Sequence, residues 1–154
     1  MRVEQRLREL NIALPEMQRP VATYVTAVRT GNLLFVSGVG PAAASPKGKL
    51  GAEVSVDQGY QAARECGLQL LARVKEALGE LDNISRVVKL LGMVNCTPDF
   101  DQQPQVINGC SDLFVDVLGD AGRHARSAVG MSGLPGGICV EIEAIFEVSD
   151  ERAS

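Results

Sequence analysis

Hydrophobic residues recur along the middle of the chain with the period of an amphipathic helix. From Ser55 onward the apolar stripe comprises Ala63, Gly67, Leu70, Val74 and Leu78. Ser55 and Gln58 have the spacing of a capping box, and Gly79 stands where a C-cap belongs. The pattern therefore predicts a long helix between Ser55 and Gly79.

Two further stretches have helical spacing. A stripe of Val106, Cys110, Leu113 and Val117 predicts a helix from about Gln102 to Leu118, with Pro104 in its first turn and Gly119 at its end. A shorter stripe of Val3, Leu7 and Leu10 predicts a short N-terminal helix. We assign this helix to an extension over residues 1–20, ahead of a core of about residues 21–148.

Alternating or β-branched runs predict five strands. The first two, Val21 to Arg29 and Leu33 to Val39, are joined by Thr30-Gly31-Asn32 as a hairpin, and the Pro- and Gly-rich stretch from Gly40 to Val54 is a loop. The others are Ile84 to Cys96, Arg126 to Ser132 and Ile138 to Val148. Because Pro135, Gly136 and Gly137 separate the last two, we expect these strands to form a second hairpin.

The strand from Ile84 to Cys96 is apolar on both faces. Strict alternation places Val88, Leu90, Val94 and Cys96 on one face and Val87, Leu91 and Met93 on the other. Such a strand must be covered on both sides. We predict an α+β sandwich in which two helices cover one face of a mixed sheet, in the order β-β-α-β-α-β-β after the short helix. A second subunit would cover the other face.

Composition narrows the class of protein. The 154 residues predict a single domain, and the net charge of -4 disfavours nucleic-acid binding, which needs a basic stripe. The four cysteines are scattered and His124 is the only histidine, so we expect free thiols, no metal site and no cofactor. Neither an apolar signal segment nor a membrane-length apolar run is present. The expectation is a cytoplasmic protein that does not bind membranes.

Arg126 is the first candidate for chemistry. It alternates with Ala128, Gly130 and Ser132, and these small residues leave room beside a guanidinium that could bind a carboxylate as a fork. Glu141 could position a water molecule for reaction. Alternatively, Glu141, Glu143 and Glu147 could simply form the solvated face of a sheet. Tyr24, Ser37 and Asn108 are polar residues that most often serve as structural hydrogen bonders.

Other catalytic patterns are missing from the sequence. There is no dinucleotide-binding, P-loop or zinc-protease motif, and Ser37-Gly38-Val39-Gly40 is not a nucleophile elbow. We interpret His124 as a loop residue.

Taken together, several segments resemble the Rid family of enamine/imine deaminases, also called YjgF-like proteins and often labelled endoribonuclease L-PSP. Ala125-Arg126-Ser127-Ala128-Val129, Leu134-Pro135 and Val140-Glu141-Ile142-Glu143-Ala144-Ile145 resemble its C-terminal signature. Thr23-Tyr24-Val25, residues 31–38 and residues 106–114 resemble its first hairpin and second helix. The likeness covers roughly Tyr24 to Val148.

This resemblance implies a chorismate-mutase-like fold, a homotrimer and sites in the clefts between subunits. It also implies that Arg126 binds the substrate carboxylate, that Glu141 positions the attacking water and that Tyr24 lines the cleft. The wall positions would be Ser37, Gly38, Asn108 and Ala128. The implied reaction is hydrolysis of a small 2-imino or 2-enamino acid to a 2-oxo acid and ammonia.

The chain departs from the family pattern at three places. Ala128 stands where many members have a reactive cysteine, Val39-Gly40 follows the Ser-Gly step, and residues 130–133 differ from the usual sequence. These differences leave open a trimer that binds small carboxylates or proteins without turnover. RNA cleavage, which the older label suggests, is disfavoured by the acidic charge and the lack of a histidine base.

Overall fold

The computed structural model describes residues 2–17 and 23–149. Its helices are α1 (Arg2–Glu9), α2 (Val56–Leu78) and α3 (Gln103–Leu118), and its strands are β1 (Ala27–Thr30), β2 (Leu33–Val39), β3 (Ile84–Asn95), β4 (Ala125–Met131) and β5 (Val140–Val148). The element order is the predicted one. Short 3₁₀ turns occupy Leu81–Asn83, Gly119–Gly122 and Pro135–Gly137.

The five strands form one mixed sheet in the order β1-β2-β5-β3-β4. β3 and β4 are parallel, and the other neighbours are antiparallel. α2 and α3 pack against each other over one face, where Leu70, Ile107 and Phe114 join Leu90, Ile142 and Phe146 in the core. The α+β architecture with two helices on one face is therefore confirmed.

The predicted hairpin of the last two strands is wrong. β3 lies between β4 and β5, with Leu90 opposite Arg126 on one side and Ala144 on the other. The connection crosses the end of β3, where the Asn95 N–H and side-chain amide donate to the carbonyls of Cys139 and Ile138 at 2.9 and 3.1 Å. Every second side chain of β5 is buried. In the centre of the sheet β5 has a neighbouring strand on each side, so more of its backbone groups are hydrogen-bonded and its apolar face is covered.

The predicted faces of β3 also need correction. Val87 pairs with Phe146 and Lys89 pairs with Ile145, so Val88 is the extra residue of a β-bulge. The bulge places Val87 in the core with Leu90, whereas strict alternation put them on opposite faces. Cys96 lies just beyond the strand.

The ends of the helices follow the sequence signals. Ser55 and Gln58 form the predicted capping box, and Gly79 caps α2 in the left-handed region at φ 84°. α1 is anchored from outside, because the Asp82 carboxylate accepts the N–H groups of Arg2 and Val3 at 2.8 and 2.7 Å. Val3 and Leu7 are buried against the core, so this short helix is packed rather than solvated.

The first strand is shorter than predicted. β1 begins at Ala27 rather than at Val21, and residues 21 and 22 lie outside the described part of the chain. The carbonyl of Val25 accepts a hydrogen bond from the Ser37 hydroxyl, and that of Thr26 accepts one from the Ser37 N–H. The segment carrying Tyr24 is thus attached to β2 by Ser37 instead of by a continued strand ladder.

Candidate functional site

Glu141 projects from the face of the sheet that the helices do not cover. Its partner on β3 is Met93, three residues from the core residue Leu90, and three residues along a strand reverse the face. The Glu141 side chain is half-buried. Burial raises the pKa of its carboxyl group, and the neighbouring Glu143 carboxylate raises that pKa further.

Gly38 forms the floor beneath the Glu141 carboxylate. A β-carbon at Gly38 would collide with Oε2 of Glu141 and would lie 3.3 Å from its Cγ. The glycine therefore allows the carboxylate to rest on the backbone of β2, and a β-carbon would push the flexible end of the Glu141 side chain aside. This close approach, set by the bulge between Val36 and Val39, leaves no trace in a hydrophobic pattern.

Ser37 has its hydroxyl occupied by the backbone, where it donates to the carbonyl of Val25 at 2.7 Å. Its role in the structure is to hold the segment that carries Tyr24. The Tyr24 side chain is 44% exposed and borders, together with Gly38, a pocket of about 390 Å³. Tyr24, Ser37, Gly38 and Glu141 thus lie together, and we call them the glutamate half-site.

Arg126 lies elsewhere, on the edge strand β4 and on the helix side of the sheet. It pairs with the core residue Leu90, and its guanidinium donates to the Ser111 hydroxyl at 3.0 Å and to the Pro104 carbonyl at 3.4 Å. Both acceptors belong to α3. The half-buried guanidinium is consequently held in a fixed orientation at the edge of the molecule.

Ser111 and His124 complete the surroundings of Arg126 and were not among the predicted site residues. The Ser111 hydroxyl is 2.8 Å from His124 Nε2, and His124 Nδ1 is 2.6 Å from the Gly122 carbonyl. Because a carbonyl only accepts, Nδ1 carries the proton; Nε2 then accepts from Ser111, whose oxygen accepts from Arg126. Burial lowers the pKa of His124, and this favours the neutral ring that the chain of hydrogen bonds requires.

Asn108 and Ala128 lie near Arg126. Asn108 is four residues after Pro104 and three before Ser111, which puts it on the same face of α3 as both partners of the arginine. Ala128 follows Arg126 by two residues on the same face of β4 and packs partly against the core. We call Arg126, Ser111, His124, Asn108 and Ala128 the arginine half-site. Its one sequence signal was the isolated histidine two residues before Arg126.

One chain therefore separates the predicted site into two parts. Arg126 and Glu141 are on opposite sides of β3 and project from opposite faces of the sheet. A single small molecule cannot contact both groups within one copy of the chain, since the packed sheet lies between them. Each part is nevertheless organised, one around a fixed cation and the other around a carboxyl group with a raised pKa.

Residues 2–17 and 23–149 contain no group of three or more His, Cys, Asp or Glu residues arranged to bind a metal ion. All four cysteines are buried free thiols, as the sequence predicted. Burial raises the pKa of Cys66 and of Cys110, which disfavours the reactive thiolate. Within the same described residues, none of the helices has the length and apolar character needed to span a membrane.

Comparison with known proteins places the chain in a family. Residues 4–140 match the family described as "YjgF/chorismate_mutase-like, putative endoribonuclease". The chain belongs to this YjgF-like family, and the predicted resemblance is confirmed. The fold assignment is confirmed with it.

Three similar proteins illustrate the relationship. Protein TCP17 of Trypanosoma cruzi is 44% identical over 97% of this chain and 96% of its own length. The solved structure of Atu1372 from Agrobacterium tumefaciens, a protein with unknown function, is 45% identical, with a TM-score of 0.86 over 96% of this chain and 92% of that one. A "putative endoribonuclease" from Shewanella oneidensis MR-1 is 30% identical, with a TM-score of 0.91 over 96% of this chain and all of the other.

Proposed function

We propose that the protein hydrolyses small 2-imino and 2-enamino acids to 2-oxo acids and ammonia, at sites formed between the subunits of a homotrimer. The observation that supports this most is the division of the site. Arg126 and Glu141 are each held in a defined environment, but on opposite faces of one sheet. A neighbouring copy of the chain would bring the arginine half-site of one subunit against the glutamate half-site of the next.

The open face of the sheet supports this assembly. Val28 and Phe35 are large apolar residues that are 52% and 41% exposed, and Val129 on the edge strand is 38% exposed. An apolar sheet face of this kind is a common oligomer interface. A trimer that covers it would also account for the apolar residues of β3 that face away from the helices.

The proposed reaction needs little from the protein. Arg126 binds the substrate carboxylate as a fork, and this orients the imine carbon toward Glu141. The water oxygen bonds to the imine carbon while Glu141 accepts a proton from the water and passes it to the nitrogen. Glu141 then moves the proton of the new hydroxyl group to the nitrogen in the same way, a role suited to a carboxyl group whose pKa is raised. The carbon–nitrogen bond breaks as the carbonyl forms, and ammonia leaves. Tyr24, Gly38, Asn108 and Ala128 form the walls.

The test is ammonia release from an imine generated in situ by an amino-acid oxidase. We expect acceleration over buffer that Arg126→Ala abolishes. Arg123→Ala is the matched control, because Arg123 is three residues away, exposed and paired only with Asp120 in the described chain. Equal rates for wild type and buffer would refute the proposed activity.

A complementation experiment tests the shared site. Arg126→Ala and Glu141→Gln subunits should each be inactive alone, but co-expression should restore about a quarter of the wild-type activity in mixed trimers. The restored sites combine the intact arginine of one subunit with the intact glutamate of another. If no activity returns, the sites do not form between subunits.

A second candidate function is a trimer that binds small carboxylates without turnover. Ala128 favours it, since this position offers no reactive side chain beside Arg126. It predicts that 2-oxo acids raise the melting temperature of the wild type but not of Arg126→Ala, while no imine is hydrolysed faster than in buffer.

A further inference from the structure

Arg73 is a buried cation that the proposed reaction does not use. It lies on α2, its side chain is only 5% exposed, and in the described part of the chain no carboxylate pairs with it. Its Nη1 donates to the Ser37 carbonyl at 3.5 Å, and its buried Nε has no acceptor among the described residues. An arginine does not lose its proton when buried, so this charge has a single backbone acceptor in the described chain, without the paired carboxylate that buried charges normally have.

Arg73 lines the pocket of about 390 Å³ that Tyr24 and Gly38 also line. The rest of the wall comes from residues 39–43 and 45–47 together with Pro135 and Ile138. Among the described residues it includes the cation Lys47 but no Asp or Glu. The loop that contributes Lys47 is held by its backbone. Lys47 forms an isolated antiparallel β-bridge with Ile138, and the Gly48 N–H donates to the Gly137 carbonyl. A concave pocket of this volume with two cations suits a small acid.

We propose that the Arg73 pocket binds a carboxylate of the substrate, and that the substrates are therefore 2-imino dicarboxylic acids. Tyr24 and Gly38 belong both to this pocket and to the glutamate half-site. A substrate whose reacting carbon lies at Glu141 would extend its side-chain carboxylate toward Arg73 while Arg126 of the next subunit binds the other carboxylate. The choice of 2-imino dicarboxylic acids as substrates rests on the proposed function, whereas binding of a carboxylate at Arg73 is independent of it.

A packing role alone does not explain the residue. The aliphatic part of an arginine can cover apolar surface while its charged end reaches water, but here Nε of the charged end is buried and has no acceptor in the described chain. An anion bound in the pocket would complete the hydrogen bonds of the guanidinium, and this accounts for the unpaired Nε.

Binding is tested by calorimetry and thermal melting with 2-oxoglutarate, compared with the monocarboxylate 2-oxobutanoate. In the wild type we expect 2-oxoglutarate to bind at least roughly tenfold more tightly, and Arg73→Met to remove this preference. Arg73→Lys should keep part of it. Arg64→Met, on the same helix but outside the pocket, should keep all of it.

The melting temperature without ligand separates binding from a structural role. Arg73→Met should melt at or above the wild-type temperature, because it removes a buried charge that no carboxylate of the described chain pairs with. A wild type that does not prefer the dicarboxylate, or an Arg73→Met variant that retains the preference, would overturn the inference. A purely structural role would also overturn it. In that case Arg73→Met melts well below the wild type, Arg73→Lys restores the melting temperature, and neither variant changes ligand binding.

Turnover separates this inference from the proposed function. We expect the imine of glutamate to be hydrolysed with a kcat/KM at least roughly tenfold above that of the imine of 2-aminobutyrate, and Arg73→Met to equalise the two. Turnover of both imines without preference and unaffected by Arg73→Met would leave the deaminase proposal intact and refute the dicarboxylate inference. If neither imine is hydrolysed but the wild type binds the dicarboxylate and Arg73→Met does not, the deaminase proposal is refuted and the carboxylate site at Arg73 stands.

Discussion

At the scale of single residues, the candidate site depends on contacts that each involve one particular side chain. Gly38 allows the Glu141 carboxylate to lie against β2, and Ser111 links Arg126 to His124. The sequence singled out Arg126 and Glu141 as candidates, and the resemblance gave them roles, but the contacts of Ser111 and His124 with Arg126 became visible only through their distances. No spacing rule connects residues 111, 124 and 126, because they meet through the packing of α3 on β4.

Gly38→Ala should impair the site more than it impairs the fold. The added methyl group displaces the Glu141 carboxylate, and a shift of about 1 Å at a reacting group can reduce kcat/KM by roughly 100-fold. Because the displaced group is the end of a flexible side chain, the free energy of unfolding should change by only about 0.5 kcal/mol in urea titrations. Gly133→Ala is the control, since open space surrounds Gly133. Equal activity of the two variants would contradict the assignment of Gly38.

The stability of the protein should depend on pH through His124. Its pKa is below the ordinary value of about 6.5 in the folded chain, so between these two values the unfolded chain binds more protons. The free energy of unfolding should therefore fall as pH decreases through about 6.5. Because His124 is the only histidine, His124→Gln should flatten the profile in this window.

Urea titrations between pH 5 and 8 measure this effect. They are carried out with and without His124→Gln in a protein that also carries Glu141→Gln, so that Glu141 does not contribute to the slope. The raised pKa of Glu141 acts with the opposite sign, since its folded form binds more protons as pH falls. A slope near pH 6 that survives His124→Gln would contradict the role of the histidine.

At the scale of elements, the position of each helix depends on glycines in the contact between α2 and α3. A β-carbon at Gly109 of α3 would collide with the backbone carbonyl of Tyr60 and would lie 3.0 Å from the N–H nitrogen of Arg64. Gly67 of α2 similarly faces Leu113 and Cys110. The period of apolar residues predicted both helices, but it could not predict how closely they approach.

Gly109→Ala should destabilise the protein although alanine is the better helix former. Helix propensity alone would favour the variant by about 1 kcal/mol, whereas separating the two helices should produce a net loss of about 2 kcal/mol or more. Urea unfolding measures the change. Gln105→Ala, at an exposed position of the same helix, should leave stability within about 0.5 kcal/mol of the wild type. A stabilised Gly109→Ala variant would show that the contact is looser than described.

At the scale of the whole molecule, the arrangement of strands determines what the site requires. β5 occupies a central position and β4 the edge, so the two halves of the site face in opposite directions. In the assembly that we propose, the exposed apolar residues on and beside the uncovered face are buried between subunits. That assembly makes a direct prediction about mass.

The purified protein should sediment at about three times its chain mass of 16.4 kDa. Phe35→Glu, on the uncovered face, should dissociate it by placing a charge in an apolar interface, and it should abolish imine hydrolysis at the same time. Gln61→Glu introduces the same side chain at an exposed position of α2 and should change neither mass nor activity. A Phe35→Glu variant that remains trimeric would place the interface elsewhere.

The sequence by itself determined the elements and their order, because helical and strand periods, caps and glycine turns are local properties that act over a few residues. It also determined the α+β class and, through the C-terminal signature, the identity of Arg126 and Glu141 as candidates. Only the tertiary structure decided that β3 separates β4 from β5, that Val88 forms a bulge, and that Arg73 is a buried cation beside a pocket. These features arise from contacts between residues far apart in the chain, and alternation along one strand contains no information about which strand lies next to it.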